Sequence, residues 1–245
     1  MPPWDGVFAI LDRERSRVYS PGVMTNEERP PSAEVPTERK RRPGPYADAP
    51  RLPETAEVDL RTLGKGQHIE LEIGPGPKAG FLLERAAAAP EALLVGLEIR
   101  RKWAAVGDGR LAKHGFGERA RVFCEDARLA LPKLRPNGGV KRVFLHFPDP
   151  WWKKRHHKRL VMGDAFLEQV IRLLEPGGEL LIQTDVEERA ELYAKVVAGS
   201  EELVPAGDEP GSPVIRENPF NARSPREHRA IADGLPVHRM LWRRR

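Results

Sequence analysis

Thirteen consecutive residues concentrate the chemistry of this chain: Phe147-Pro148-Asp149-Pro150-Trp151-Trp152-Lys153-Lys154-Arg155-His156-His157-Lys158-Arg159. Asp149 lies between two prolines, each of which fixes its own φ and restricts the residue before it. Two indole rings follow, then five Lys or Arg and two His within seven residues. A stiff loop that sets a carboxylate beside aromatic rings and a cationic run suits a planar, electron-rich group carried on a polyanion. A nucleic-acid base on its phosphate backbone is such a group. The adjacent His156 and His157 have no cysteine cluster near them, which argues against a metal site.

A second set of chemistry-bearing residues lies upstream. His68-Ile69-Glu70-Leu71-Glu72-Ile73 reads as a strand and runs into Gly74-Pro75-Gly76-Pro77-Lys78-Ala79-Gly80. Glycines at Gly74 and Gly76 allow a sharp turn and a close approach of ligand to backbone. The spacing is G-x-G-x-x-x-G, so the usual dinucleotide fingerprint is missing. An acid then closes each of the next two predicted strands. Glu98 is placed to take both hydroxyls of a ribose, and Asp126 to accept from an adenine amino group. Carboxylates at three successive strand ends, with no pyrophosphate fingerprint, favour S-adenosylmethionine over a nicotinamide cofactor.

The elements that must position these residues follow from hydrophobic patterning. Predicted strands cover 68–73, 93–98, 120–124, 140–147 and 179–184. Predicted helices cover 79–89, 100–114, 163–174 and 187–198, the third stopped by Pro176-Gly177-Gly178. A final strand is predicted over 236–243. Strands alternating with helices predict an α/β fold built on a doubly wound, mostly parallel, Rossmann-like sheet. Residues 1–50 read instead as a disordered tail, because ten of the chain's 24 prolines crowd the first 53 positions and little apolar surface is available to offset ordering. Residues 51–245 form the predicted catalytic domain.

Composition bounds the partners. The 245 residues carry 41 Lys and Arg against 36 Asp and Glu, a formal charge of +5. The excess collects at 39–42, 153–159 and 243–245, which points to an anionic partner. Cys124 is the one cysteine, so no internal disulfide forms, in keeping with a reducing, cytoplasmic setting. No apolar stretch approaches the roughly 20 residues of a membrane helix, and the N-terminus lacks the order of a secretory signal.

With these residues in place, the chain resembles the bacterial tRNA (guanine-N7-)-methyltransferases. The resemblance rests on Leu71-Glu72-Ile73-Gly74, Gly96-Leu97-Glu98, Glu125-Asp126-Ala127, the Phe147–Trp151 block with its basic follow-on, and Thr184-Asp185, in order over roughly 65–243. It implies a class I methyltransferase fold, S-adenosylmethionine as cofactor, and methylation of guanine N7 at position 46 in the tRNA variable loop. It implies that Glu72, Gly74, Gly76, Glu98, Asp126 and Asp149 face the cofactor, with Asp149 the central active-site acid. By the same resemblance Lys153 and Asp185 contact the substrate, while Arg155, His156, Lys158 and Arg159 bind RNA. The family's late motif T-[KR]-[FY]-E is matched by Ser224-Pro225-Arg226-Glu227, where a proline intrudes and the aromatic is absent. Ser224, Arg226 and Glu227 are carried over as substrate contacts on that match. A monomer and a homodimer are equally compatible with the sequence. The competing readings are an amine methyltransferase of a nucleic-acid base, a nicotinamide-dependent reductase, and a non-catalytic RNA-binding protein.

Overall fold

In the computed structural model the strands alternate side chains between two helical layers, and that alternation places the chemistry. The structure describes residues 45–148 and 162–245. The strands are β1 (Val58–Asp59), β2 (His68–Ile73), β3 (Ala92–Leu97), β4 (Ala120–Phe123), β5 (Leu134–Arg135), β6 (Val140–His146), β7 (Leu174–Thr184), β8 (Leu203–Pro205) and β9 (His238–Arg244). The helices are α1 (Gly80–Ala88), α2 (Arg101–Lys113), α3 (Ala127–Ala130), α4 (Asp164–Leu173), α5 (Glu187–Ala198) and α6 (Pro225–Ala232). The main sheet has the order β4-β3-β2-β6-β7-β9-β8. Its first five strands are parallel, and β9 pairs antiparallel with both β7 and β8. β1 and β5 form a separate two-stranded parallel pair.

One face of the sheet presents Leu71, Ile73, Val95, Leu97, Val143, Leu145, Leu180 and Ile182 to α4 and α5. The α4 sequence DAFLEQVIRL buries Phe166, Leu167, Val170 and Ile171, the spacing of one helical stripe. The other face carries Leu94, Phe144, Leu181 and Leu241 against Phe81 and Leu82 of α1 and Ala104 and Leu111 of α2. The same face also carries a row of polar residues. Glu70 and Glu72 of β2 lie opposite Arg142 and Phe144 of β6. Next come Glu179 and Gln183 of β7, then Arg239 and Arg243 of β9.

The doubly wound, mostly parallel sheet predicted from the sequence is present, and β2 and α5 match their predicted bounds. Two differences have physical causes. The third predicted helix ends at Leu173, and β7 begins at once, with Pro176 and Gly177 exposed and looped out between the Leu174↔Val140 and Glu179↔Arg142 pairings. The proline and glycines therefore stop the helix and bulge the strand as well. The second difference is α6, absent from the sequence reading. Ser224 accepts from Glu227 N at 3.1 Å and Pro225 occupies the first turn. Proline at a first helical position loses no needed donor, so it starts a helix here instead of interrupting a motif.

The predicted disordered tail, residues 1–50, falls mostly outside the described residues. Packing is already established at Ala49 and Leu52, both buried. Cys124 N donates to Pro50 O at 2.7 Å, and the Arg51 guanidinium pairs with Glu125 at 2.8 Å. Cys124 is buried, as expected of a strand-end residue. No described helix is long and apolar enough to cross a membrane.

Candidate active site

β2 ends at Ile73, and the chain then turns through a backbone conformation few residues adopt. Gly74 has φ +72°, and a side chain there would meet nothing within 4 Å. Gly76 follows at φ +69°. Lys78 and Ala79 also have positive φ, at 71° and 45°, which is costly for residues with a Cβ and is retained where the surroundings enforce it. Gly74 N donates to Leu97 O at 2.9 Å, tying the turn to the end of β3. Gly80, which opens α1, has a different role. A Cβ there would lie 2.4 Å from Pro225 Cγ, so glycine lets the start of α6 rest on the start of α1.

Glu98 follows β3 and reaches back to this turn. Its Oε2 accepts from Gly76 N at 3.0 Å and its Oε1 from Arg100 N at 2.8 Å. The residue is 3% exposed. Burial raises its pKa above the ordinary carboxylate value, outweighing the two backbone donors. Each carboxylate oxygen has a further lone pair, so the group can still accept from a ribose. Asp126 lies after β4 and caps α3, accepting from Arg128 N at 3.0 Å and pairing with the Arg128 guanidinium at 2.6 Å. That pairing holds its pKa below the ordinary aspartate value. Asp126 thus serves as the cap of its own short helix while lying at the strand end.

Glu72 lies under the turn instead of in it. It is 1% exposed, and its Oε1 lies 2.8 Å from His146 Nδ1. The His146 ring packs on Phe81 at 4.2 Å between centroids and stacks with Phe144 at 5.7 Å. In the sequence His146 stands within the apolar run Val143-Phe144-Leu145-His146-Phe147, part of the predicted strand 140–147. Its polarity within that run was the available signal, and its partner two strand positions away was not. Gln183, also fully buried, is the register partner of His146 on β7.

Around β7 the structure brings together two of the candidate substrate residues: the Arg226 guanidinium pairs with the Asp185 carboxylate. Ser224 and Glu227 are held inside the fold. Ser224 is 5% exposed and caps α6. Glu227 is fully buried, accepting from Arg239 Nε at 2.9 Å and from Asn218 Nδ2 at 3.1 Å. Asp149, Lys153, Arg155, His156, Lys158 and Arg159 lie outside the described residues. The segment leading to them leaves β6 through Phe147, whose φ is 45° and whose N–H donates to Gln183 O at 2.7 Å.

The residues present fit S-adenosylmethionine. An open glycine turn, a buried carboxylate joined to it by a backbone hydrogen bond, and a buried Glu72 oxygen without a partner suit a ligand with a ribose and a cationic end. No group of three or more His, Cys, Asp or Glu among the described residues is arranged to hold a metal ion. Two concavities, of about 590 and 250 Å³, lie elsewhere, and neither is lined by a candidate residue.

Comparison with known proteins agrees with this geometry. The family model described as "Putative methyltransferase" matches residues 66–240. A protein of Anaeromyxobacter dehalogenans named tRNA (guanine-N(7)-)-methyltransferase is 42% identical over 176 residues, covering 71% of this chain and 85% of its own. A protein of the same name from Rhodopirellula baltica is 33% identical over 224 residues, covering 86% and 81%. Among solved structures, TrmN from Thermus thermophilus aligns with a TM-score of 0.51 at 17% identity, over 76% of this chain and 47% of that one. The 16S rRNA methyltransferase KamB aligns with a TM-score of 0.50 at 16% identity, over 76% and 90%. Those two likenesses concern the fold alone. The family match and the extent of the two sequence relatives show that the chain belongs to the bacterial tRNA (guanine-N7-)-methyltransferase family.

Proposed function

We propose that this protein transfers the methyl group of S-adenosylmethionine to N7 of a guanine in tRNA, at position 46 of the variable loop. The observation that carries the reading is lateral order. Glu72, the Gly74–Gly76 turn, Glu98 and Asp126 belong to the carboxyl ends of β2, β3 and β4, three neighbouring parallel strands. Ligands of open α/β sheets bind at that edge. Glu98 would hold the ribose, Asp126 the adenine end, and the turn the methionine end. Residues 51–245 would form the catalytic domain, working in the cytoplasm.

When bound, S-adenosylmethionine supplies an electrophilic methyl on a positively charged sulfur. Guanine N7 has a free lone pair and no proton to lose, so this chain needs no strong general base. Its residues would align the base and stabilise charge as the ring becomes cationic. Asp149 is proposed for that role, with Lys153 and Asp185 on the substrate and Arg155, His156, Lys158 and Arg159 on the RNA backbone. The Arg226–Asp185 ion pair supports assigning both residues to the same end of the site.

The test is methyl transfer to unmodified tRNA, with the product nucleoside identified by mass spectrometry. The expected product is 7-methylguanosine, lost in tRNA whose guanine 46 is replaced. A product methylated on an exocyclic amine would move the chain to a different reaction class, and no transfer at all would sink the reading.

A further inference from the structure

Four buried side-chain atoms among the described residues have no hydrogen-bond partner: Glu72 Oε2, His146 Nε2, and Oε1 and Nε2 of Gln183. All four belong to one face of the sheet at the carboxyl ends of β2, β6 and β7. Buried polar atoms are rarely left this way, because each forfeits its hydrogen bonds to water. The concentration of such atoms in three residues marks a function-bearing cluster more than a packing defect. None of the motifs read from the sequence assigns His146 or Gln183 a role.

The contacts around His146 constrain what it does. Its ring is fixed between Phe81 and Phe144, so it cannot turn without disturbing both. Its Nδ1 faces Glu72 Oε1 at 2.8 Å. A carboxylate oxygen facing the ring at this distance accepts, so Nδ1 carries the hydrogen, and in the neutral tautomer Nε2 is then an acceptor. The four unpaired groups are then three acceptors and one amide donor. Glu72 also lies close enough to Glu98 for its charge to help raise the pKa of that residue, after the larger effect of burial. Two buried carboxylates and an excess of acceptors beside an open glycine turn complement a ligand with positive charge and N–H donors.

We propose that His146 is a positioning residue for cofactor binding: its Nδ1–H holds Glu72 Oε1 and thereby keeps Oε2 as the acceptor for the cationic methionine end of S-adenosylmethionine. The proposal rests on the reading of the turn as the cofactor site. Gln183, across from His146, completes the polar wall behind that carboxylate. His146 makes no direct contact with the cofactor in this assignment, so its effect is on affinity through the Glu72 orientation.

Two substitutions separate positioning from packing. His146→Phe keeps a ring against Phe81 and Phe144 and removes the donor. His146→Asn gives up the ring but returns an amide N–H at about the Nδ1 place. Calorimetry with S-adenosylhomocysteine is expected to show about tenfold weaker binding for His146→Phe, the loss of one charge-assisted hydrogen bond, with most of it recovered in His146→Asn. A Phe variant that binds as tightly as the parent, or an Asn variant as weak as Phe, would overturn the proposal. If the parent itself does not bind S-adenosylhomocysteine, it is the cofactor reading that fails. Independently of any ligand, nitrogen-15 spectra of the parent imidazole should show the hydrogen on Nδ1. A hydrogen on Nε2 alone overturns the assignment even if a variant does not fold.

Discussion

Two polar clusters share one face of the sheet, two residues apart along the same strands, and they are built on opposite terms. Toward the amino ends, Glu70 is fully buried yet accepts from Arg85 at 2.7 Å, from Arg142 at 2.7 Å and lies 3.1 Å from His68 Nε2. Arg142 goes on to Glu179 at 2.9 Å, and Arg85 to the Phe220 carbonyl at 2.9 Å. Toward the carboxyl ends, among the described residues, Glu72 has one hydrogen-bond partner, His146, and four atoms of the cluster have none. A satisfied buried network serves the fold. An unsatisfied one at the carboxyl ends of the strands is, in the proposal above, completed by the ligand that binds there.

The largest effect should come from breaking the satisfied cluster. Glu70→Ala leaves the Arg85 and Arg142 guanidiniums without their shared carboxylate in the protein interior. Removing one partner of a buried pair typically costs about 3–5 kcal/mol. Urea unfolding should show a loss of that order. Glu72→Gln should cost less than about 1 kcal/mol, because a neutral amide oxygen can still face His146, while cofactor affinity falls. Equal stability losses in the two variants would erase the distinction between the clusters.

Glu70, and Glu98 beside the second cluster, should also respond to pH with opposite signs. Burial pushes the Glu70 pKa up, but the Arg85 and Arg142 guanidiniums outweigh it and hold the carboxyl below its ordinary value of 4.5. Its contribution to stability is therefore present above pH 4.5 and lost as pH falls through the lower, folded-state pKa. Glu98, at the ligand edge, is raised above 4.5, chiefly by burial. Its contribution is present below pH 4.5 and lost as pH rises through the higher, folded-state pKa. Chemical unfolding of parent and variant across this range separates them. On raising the pH, the stability difference should move in the parent's favour against Glu70→Gln and in the variant's favour against Glu98→Gln. The same direction for both would show that Glu98 is not held against its ionisation.

A smaller effect tests the element beside the unsatisfied cluster. α6 rests on α1 at Gly80 and reaches β9 through Glu227 and Arg239, the register partner of Gln183. Gly80→Ala forces a methyl toward Pro225, and such overpacking costs roughly 1–3 kcal/mol. Pro225→Ala should relieve much of that cost in a double-mutant cycle. Additive losses would mean that the two residues do not meet.

What could be read from the sequence was what is local. β2 and α5 follow from a run of alternating or helically spaced apolar residues, and both were bounded correctly. β1, β5 and β8 span only two or three residues, too short for any periodicity to register. The same limit governs the site. That Glu98 and Asp126 end strands was legible. That Glu98 is gripped by Gly76 and Arg100, or that Glu227 pairs with Arg239, depends on partners brought together by the sheet. Glu72 and His146 are 74 positions apart, and only the parallel pairing of β2 with β6 makes them neighbours.

α6 is the exception that was local and still missed, and it gives the mildest of the tests. Ser224-Pro225-Arg226-Glu227 has the form of a helix start, with a capping serine, proline in the first turn and an acid three positions on. Ser224 Oγ accepts from Glu227 N at 3.1 Å, so Ser224→Ala removes the cap and leaves that N–H buried without a partner. Caps of this kind are worth about 1 kcal/mol. The loss should be confined to one side of the comparison. Hydrogen exchange should quicken in α6 and near Arg239, where Glu227 anchors the helix, and stay unchanged around Glu70, Arg85 and Arg142. Ser224→Asp, which keeps an oxygen acceptor, should restore protection. Had Ser224 instead touched substrate alone, Ser224→Ala would leave exchange and stability untouched and change only the affinity for RNA.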